Sequence, residues 1–343
     1  MTLFQIKPAL INRATFIRLI CLGLFILVTL LVIMQAMFMM PGTSYSGSSI
    51  DLNKTEIALK GNLQQDIDIL ANQIGIRNYL NERGLRSTVD FIDRSFSEAG
   101  YTVEHQQYTV KDKVYDNIIV EIAGNKSPSE VVVVGAHYDT AFYNPGANDN
   151  ASGTAAIIEL AKLLRNFQPD RTLRLVAFVN EEPPFFWTEN MGSLVYARRC
   201  KQKQENIVAM LSLETMGYYT DKIDSQKYPS PLNLIYPSQG NFISFVGNLK
   251  SRKLVKQTIK TFRQNTKFPS EGAALPNILP GIGWSDHWSF WQQGYPAIMI
   301  TDTAPFRYPY YHTLEDTTDK INYDSLSRVT LGIKAIIIEL TTN

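Results

Sequence analysis

Histidine and carboxylate residues, which can bind metal ions, occur in five separate segments of this 343-residue chain. Three of the segments directly follow apolar runs that indicate buried strands, and another directly precedes an amphipathic helix. The five segments are His137-Tyr138-Asp139, Gly146–Asn150, Asn180-Glu181-Glu182, Leu213-Glu214 and Tyr311-His312-Thr313. Imidazole nitrogens and carboxylate oxygens without thiolates suit zinc in a catalytic site.

Each segment alone has an ordinary structural explanation. A single histidine is more often a core or surface residue than a ligand, paired glutamates usually form a solvated face, and Asp149 could cap the helix that follows it. The combination favours a metal site, because carboxylates at the ends of apolar strands cost free energy to bury unless they are paired or bind a metal. Three of the chain's four histidines lie in or beside these motifs: His137, His287 and His312.

The elements that must position these residues alternate between strands and helices. The strands are predicted at 101–110, 114–122, 131–134, 173–179, 207–213 and 295–301, and the helices within 63–99 and at 151–167 and 325–340. This order predicts an α/β fold in three layers, α/β/α, with a mainly parallel central sheet. Such sheets bind ligands at the carboxyl ends of their strands, where the five segments lie.

Composition excludes several classes of protein. The formal charge of +1 argues against a nucleic-acid-binding protein, which usually has a basic excess. The two cysteines, Cys21 and Cys200, can form neither a disulfide framework nor a thiolate metal site. A content of 45% hydrophobic and 19% charged residues is that of a globular chain.

The N-terminal region predicts a membrane anchor. Residues 19–40 contain no charged side chain and, as a helix, would span roughly 33 Å, enough to cross a bilayer. Lys7, Arg13 and Arg18 precede this run, whereas the first acidic residue is Asp51. We therefore expect a single-pass protein with a cytoplasmic N-terminal tail at 1–18 and an extracytoplasmic catalytic domain.

Two other interpretations of the apolar run are open. A cleaved signal peptide usually has a shorter apolar core and a small-residue cleavage site, and a buried core helix usually has a polar face. With the anchor at 19–40, residues 41–62 are expected as a linker and 63–343 as one catalytic domain. The long connection at 218–283 is expected to form a lid or rim over the site, or to be peripheral.

Taken together, the motifs resemble metallopeptidase family twenty-eight, the two-zinc aminopeptidases that are related to glutaminyl cyclases. The resemblance covers roughly residues 64–340. It is carried by HYD (137–139), GANDNASG (146–153), NEE (180–182), SLETMGY (212–218), SDHWSFWQQGYPA (285–297) and YHTLEDT (311–317). It implies a zinc-exopeptidase fold of the phosphorylase/hydrolase-like type, peptide substrates and two Zn²⁺ ions as cofactors.

The resemblance also implies a role for each site residue. His137 and Glu214 would bind one zinc, Glu182 and His312 the other, and Asp149 would bridge the two. Glu181 would be the general base, taking a proton from the attacking water and passing it to the leaving amine. Many family members have aspartate where this chain has Glu214, which can equally bind zinc.

Further residues are expected around the ligands. Asp139 would orient the ring of His137, and Asp286 and His287 would shape the pocket floor. Tyr311, next to His312, is expected either to hold the oxyanion or simply to pack. Some family members place the oxyanion tyrosine just before the SDH motif, where 281–284 of this chain has none. The three aromatic residues after the base, Phe185, Phe186 and Trp187, are expected either to line the substrate pocket or simply to pack the domain.

Two alternatives to an aminopeptidase follow from the same resemblance. Glutaminyl cyclases have a similar fold and ligand pattern, but cyclise an N-terminal glutamine with one zinc. A non-catalytic ectodomain could keep the fold for binding alone. The GANDNASG segment and Glu214 favour the peptidase, and the presence of all five ligands and the base argues against a purely binding role.

Overall fold

The computed structural model describes residues 13–48 and 50–342. Lys7 and the rest of the expected cytoplasmic tail up to residue 12 lie outside the described residues. The helices are α1 (Arg13–Met37), α2 (Lys54–Asp68), α3 (Glu82–Glu98), α4 (Ser152–Leu164), α5 (Gly192–Gln202), α6 (Arg252–Asn265), α7 (His287–Gln292) and α8 (Tyr323–Thr341). The strands are β1 (Glu104–Val110), β2 (Lys113–Ile122), β3 (Ser127–His137), β4 (Arg171–Phe178), β5 (Asn206–Glu214), β6 (Ile243–Asn248), β7 (Ser270–Leu275) and β8 (Ala297–Thr301).

The described strands form one sheet in the order β1-β2-β4-β3-β5-β8-β6-β7. Four neighbouring pairs are parallel: β4 with β3, β3 with β5, β5 with β8, and β6 with β7. The other three pairs, β1 with β2, β2 with β4, and β6 with β8, are antiparallel. The predicted α/β fold is therefore confirmed, with a parallel centre and antiparallel pairs towards both edges.

The apolar run of β3 explains why the sheet is covered on both faces. Val132 and Val134 pack into the larger core, with α2, α4, α6 and α8, whereas Val131 and Val133 pack into the smaller core under α5 and α7. Side chains alternate between the faces of a strand, so a continuous valine run is the pattern of a strand with no solvated face. The three-layer arrangement follows from it.

The folded region begins earlier than the expected boundary at residue 63. Helix α2 starts at Lys54, where Asn53 accepts hydrogen bonds from the backbone N–H groups of Thr55 and Glu56. The Glu56 side chain accepts in return from the Asn53 N–H, which completes a capping box. Leu59 in the first turns of this helix is buried, so residues 54–62 are part of the packed domain and not linker.

The connection at 218–283 also contains more structure than the sequence predicts. It supplies the strands β6 and β7, which extend the sheet beyond β8, and the helix α6 between them. Its alternating residues divide between the two faces: Phe245 and Ala274 enter the larger core, whereas Val246 and Leu275 face a cavity on the other side. This segment is therefore an integral part of the sheet.

Helix α1 is long and apolar enough to cross a membrane, by length and composition alone. Its large apolar side chains are exposed all round, among them Leu22, Phe25 and Val28. A signal sequence would meet the same criteria.

A matched pair of isoleucines tests the importance of the larger core. Ile333 in α8 is fully buried, whereas Ile278 is 87% exposed. We expect Ile333→Ala to lower the free energy of unfolding by about 2–5 kcal/mol, because it loses buried apolar contacts and leaves a cavity. Ile278→Ala should change it by less than about 0.5 kcal/mol. Urea unfolding at equal metal content measures both; equal midpoints would contradict the assignment of Ile333 to the core.

Candidate metal centre

The structure brings the predicted metal-binding residues together at the carboxyl ends of the central strands. His137 is the last residue of β3 and Glu214 the last residue of β5, while Glu181 and Glu182 follow β4. Asp149 lies in the kinked turn just before α4, with a non-helical backbone. His312 comes from the irregular segment before α8 and has a left-handed backbone, with φ of 58°.

The Nε2 atoms of His137 and His312 each lie within 3.4 Å of two carboxylate oxygens. The Nε2 atom of His137 lies 3.4 Å from Asp149 Oδ1 and 3.3 Å from Glu214 Oε2. The Nε2 atom of His312 lies 3.0 Å from Asp149 Oδ2 and 3.3 Å from Glu182 Oε1. Asp149 thus presents one carboxylate oxygen to each histidine. Glu181 is farther away, with its Oε2 atom 3.9 Å from His137 Nε2.

The facing atoms are suited to hold a metal. His137 Nε2, both carboxylate oxygens of Asp149, Glu182 Oε1 and His312 Nε2 are buried without a hydrogen-bond partner among the described residues. Buried polar atoms are normally paired, so a cluster of unpaired nitrogen and oxygen atoms requires an explanation. Their ligand atoms form triads within 4.8 Å of one another, His137/Asp149/Glu214 and Asp149/Glu182/His312 among them. The donor set therefore fits a divalent metal.

The electrostatics of the protein alone point to a missing positive charge. Burial, together with the Asp149 carboxylate, raises the pKa of Glu182 to about 8. Burial lowers the pKa of His312, but the facing carboxylates of Asp149 and Glu182 outweigh burial and raise it to about 10. The clustered carboxylates thus draw protons onto this site, and a cation bound there would stabilise their ionised forms.

Asp139 fixes the loop that carries the two glutamates. Its Oδ1 and Oδ2 atoms accept hydrogen bonds from the backbone N–H groups of Glu181 and Glu182, both at 3.1 Å. The Nδ1 atom of His137 lies 3.2 Å from the Asp139 carbonyl oxygen and 3.6 Å from its Oδ1. This carboxylate therefore joins the end of β3 to the loop after β4, besides lying behind the His137 ring.

Asp316 holds the loop of Asp149 in a similar way. It accepts hydrogen bonds from the backbone N–H groups of Asn148, at 2.8 Å, and Asp149, at 3.1 Å, and from the Tyr308 hydroxyl, at 2.7 Å. Gly146 begins this turn with φ of 59°, and a Cβ atom there would collide with the Asp149 carbonyl oxygen. The hydrogen bonds to Asp316 and the tight turn at Gly146 together fix the position of the Asp149 carboxylate.

Arg77 is a fully buried cation behind the site. Its guanidinium donates to the carbonyl oxygens of Tyr138, at 2.8 Å, Pro145, at 2.6 Å, and Gly146, at 2.7 Å, and also to those of Leu70 and Gly75. Burial lowers its pKa to about 10, while the nearby carboxylates of Asp316 and Asp149 favour its charged form. Arg77 therefore links the segments that carry Asp139 and Asp149.

The SDH motif (285–287) supplies a hydrogen bond to the Glu214 carboxylate. The Ser285 hydroxyl donates to Glu214 Oε2 at 2.7 Å, which orients that carboxylate. Asp286 is fully buried, and burial raises its pKa to about 7. The contacts of His287 are with other residues than the cluster: its Nε2 atom lies 2.7 Å from the Ile282 carbonyl oxygen and its ring packs edge-on against Trp291.

The expected pocket aromatics separate into two groups. Phe185 packs edge-on against Tyr79 and Tyr115 at the border of the larger core. Phe186 stacks on Trp187, whose Nε1 atom donates to the Gly283 carbonyl oxygen at 2.9 Å. None of the three is among the described residues that line the cavity below, so their role as pocket residues stays a prediction.

An apolar cavity of about 780 Å³, including its part open to solvent, adjoins the cluster. Glu214 and Tyr311 line it, together with residues of the 226–246, 271–284 and 299–306 segments. The Tyr311 ring stacks on His312, with 3.8 Å between ring centres. The segment that the sequence indicated only as a lid, rim or peripheral connection thus borders the site.

Three residues important to this geometry were not predicted. Ser285 and Asp316 lie inside the SDH and YHTLEDT motifs, so their position beside predicted site residues was a usable signal. Arg77 has no such signal, because its hydrogen-bond partners lie 61 to 69 positions away, apart from its short-range bonds to Leu70 and Gly75.

An α/β sheet with a buried histidine–carboxylate cluster at its carboxyl edge defines a metallohydrolase-like protein. Comparison with known proteins identifies the family. The profile of Peptidase family M28 matches residues 117–337, and the chain belongs to this family. The resemblance inferred from the motifs is therefore confirmed.

Curated relatives are consistent with this assignment. The chain is 34% identical over 284 residues to an uncharacterised Escherichia coli protein, YfbL, covering 80% of this chain and 86% of that protein. It is 26% identical over 245 residues to the Bacillus subtilis aminopeptidase YwaD, covering 69% of this chain and 48% of that protein. It spans about half of two Pyrenophora proteins named probable zinc metalloproteases, to which it is 29% and 28% identical over 64% of this chain.

Solved structures confirm the fold. A zinc aminopeptidase from Bacillus subtilis superposes with a TM-score of 0.67 at 14% identity, covering 83% of this chain and 95% of that one. A glutaminyl cyclase from Fimbriiglobus ruber superposes with a TM-score of 0.60 at 18% identity, covering 85% and 97%. At such identities the likeness shows the fold alone, which both enzyme types share.

The role of Asp316 can be tested by Asp316→Asn. An amide has only one acceptor oxygen in place of two, so one of the two backbone N–H groups loses its acceptor and the Asp149 loop loses support. We expect zinc affinity to fall by about 10- to 100-fold, the usual effect of removing such a support. Competition with a chromogenic chelator measures it.

Asp319→Asn is the matched control, because Asp319 is an exposed aspartate that pairs, within the described part of the chain, only with its neighbours Thr317 and Lys320. Its zinc affinity should equal that of the wild type. An Asp316→Asn protein that binds zinc as tightly as this control would contradict the proposed support.

Proposed function

We propose that the protein is a zinc-dependent aminopeptidase that removes N-terminal residues from peptides, with two zinc ions in its active site. The observation that supports this most directly is the Asp149 carboxylate, which presents one unpaired oxygen to His137 and the other to His312. A carboxylate placed in this way suits a bridging ligand between two metals. Membership of a peptidase family implies peptides as substrates.

The five ligands divide into two sets around this bridge. His137 and Glu214 would hold one ion and Glu182 and His312 the other, with Asp149 common to both. Three ligand carboxylates neutralise most of the charge of two divalent cations, which would offset the cost of burying them. These ligands would hold zinc, whose chemistry when bound would be to polarise the scissile carbonyl and to lower the pKa of the attacking water.

Glu181 is the proposed general base. Of the five distances between a histidine Nε2 and a carboxylate oxygen in the cluster, its 3.9 Å is the longest, which favours a role outside the ligand set. Its carboxylate would accept a proton from the attacking water and deliver it to the departing amine. Asp139 holds it in position through the Glu181 backbone N–H.

Other residues would act on the substrate. Tyr311 is held flat against His312 and lines the cavity beside Glu214, so its hydroxyl could donate a hydrogen bond to the oxyanion. The stacked pair Phe186–Trp187, which follows the base, would form an outer wall, and the 218–283 segment would form the inner one. Asp286 and His287 would support the floor.

Helix α1 would anchor the enzyme in a membrane. Arg13 and Arg18 at its start favour a cytoplasmic N-terminus, which would place the peptidase domain outside the cytoplasm. The substrates would then be extracytoplasmic peptides.

The catalytic proposal is tested with a panel of aminoacyl-p-nitroanilides. The wild type should cleave, a chelator should stop cleavage and zinc should restore it. Glu181→Gln should lower kcat by about 10²- to 10⁴-fold, the range for loss of a general base, with zinc still bound. Glu189→Gln, a change at an exposed glutamate of the same loop, should leave activity unchanged.

Three results would contradict the proposal: activity that survives complete chelation, a fully active Glu181→Gln variant, or no cleavage by the zinc-loaded wild type. A glutaminyl peptide distinguishes the cyclase alternative, because a cyclase would release ammonia and the peptidase would release free glutamine.

The number of ions is tested separately by elemental analysis of purified variants. The wild type should contain about two zinc ions per chain and His312→Ala about one, because only one of the two ligand sets loses a member. His105→Ala is the control, since His105 pairs with Asp93 and Asp116 and none of these three residues belongs to the candidate metal-binding segments. A wild type with one zinc, unchanged in His312→Ala, would refute the two-ion site.

A further inference from the structure

The cavity beside the cluster has a floor made by four neighbouring strands. Glu214 of β5 pairs with Thr301 of β8, Thr301 pairs with Ser244 of β6, and Ser244 pairs with Glu271 of β7. All four residues line the cavity, so they form a single row across one face of the sheet. We name it the floor row. It begins at a candidate zinc ligand and ends at a second glutamate.

The floor row sets the depth of the cavity. Neighbouring strands lie about 4.8 Å apart, so three intervals place the Glu271 backbone about 14 Å from that of Glu214. The walls between the two glutamates are apolar and include Val246, Leu275, Met299, Trp284 and Phe306. A long side chain that entered beside the cluster would pass between these apolar walls, over Thr301 and Ser244, before it reached Glu271.

The Glu271 carboxylate lacks a partner within the protein. It is half-buried and forms no hydrogen bond or ion pair with any residue of the described ranges 13–48 and 50–342. Burial raises its pKa, and only the charge of Arg263 opposes this. The Arg263 guanidinium is engaged with Ser270 and with the carbonyl oxygens of Pro41 and Gly42.

Two tyrosine hydroxyls near Glu271 are also engaged elsewhere. The hydroxyl of Tyr228 donates to the Pro237 carbonyl oxygen at 2.7 Å, and that of Tyr236 donates to the Gly272 carbonyl oxygen at 2.8 Å. Lys227 lines the cavity with an exposed side chain. Glu271 is therefore an acceptor with free capacity at the far end of an apolar cavity.

We propose that this cavity binds the side chain of the substrate's N-terminal residue, and that Glu271 makes it selective for arginine or lysine. The proposal rests on the aminopeptidase function proposed above. Arginine and lysine have apolar stems that pack on apolar walls and cationic heads that need an acceptor. A charge-assisted hydrogen bond to a half-buried carboxylate satisfies that head and the unpartnered Glu271 together.

The test uses the full-length chain in detergent, loaded with zinc. Values of kcat/KM are compared for arginyl-, lysyl-, norleucyl- and methionyl-p-nitroanilides with the wild type, Glu271→Gln and Glu339→Gln. Norleucine and methionine match the stems without the charge, and Glu339 is an exposed glutamate on α8. We expect the wild type to prefer arginine and lysine by at least about 10-fold, the lower end for a hydrogen bond to a charged group.

Glu271→Gln should abolish that preference, mainly by raising KM for the two cationic substrates, while changing the two uncharged ones less than about threefold. Glu271→Lys should go further and raise activity towards a glutamyl substrate. Glu339→Gln should match the wild type throughout. A wild type that prefers norleucine or methionine, with a ratio unchanged in Glu271→Gln, would overturn the assignment while leaving the aminopeptidase function intact.

Binding separates the two proposals if nothing is cleaved. Calorimetry of the zinc-loaded chain with arginine amide and norleucine amide should show tighter binding of arginine amide, and Glu271→Gln should remove the difference. If arginine amide binds more tightly but no substrate is cleaved, the aminopeptidase function alone is refuted. Equal binding of the two amides would refute the role of Glu271.

Discussion

The structure depends on keeping negatively charged groups buried at one edge of a sheet. Asp149, Glu181, Glu182 and Glu214 converge on two histidines with almost no solvent contact. Like charges this close repel, and burial penalises each of them, so the cluster could not exist without strong constraints on its backbone. The protein meets this with N–H donors, a serine hydroxyl and the buried Arg77, and leaves the inward-facing atoms unpaired for a cation.

The groups that constrain the backbone lie outside the ligand set, and they are of two kinds, hydrogen-bond acceptors and a donor. Asp139 and Asp316 each accept two backbone N–H groups, and in both cases the loop they hold carries a ligand. Arg77 supplies donors instead: its guanidinium donates to the carbonyl oxygens of Tyr138, Pro145 and Gly146, in the segment between β3 and Asp149. Together these hydrogen bonds fix the loops that carry the candidate ligands.

How far the sequence predicts this arrangement depends on how local each signal is. His137 and Glu214 are predictable because each ends an apolar strand, and parallel strands bring their carboxyl ends to one edge. Arg77 is not, because its partners come together only in the folded chain. Strand β7 escapes prediction for another reason: Ser-Glu-Gly-Ala-Ala-Leu has little β-propensity, so its pairing with β6 decides its structure. The early start of α2 depends on the Asn53–Glu56 capping box, a signal that is present but easily outweighed by polar composition.

In the proposed enzyme, the position of the two sites in the sheet would separate catalysis from selectivity. Two of the candidate ligands, His137 and Glu214, end the central strands β3 and β5, which are buried on both faces and flanked by other strands, so a change there affects the core as well as the charge cluster. Glu271 lies on the edge strand β7, where a substitution alters one end of the cavity and leaves the ligands in place. Because the floor row joins both ends through direct strand pairing, the distance between them is fixed by the sheet and not by mobile loops. An enzyme built in this way can change which side chain it accepts without rebuilding the centre that cleaves the bond.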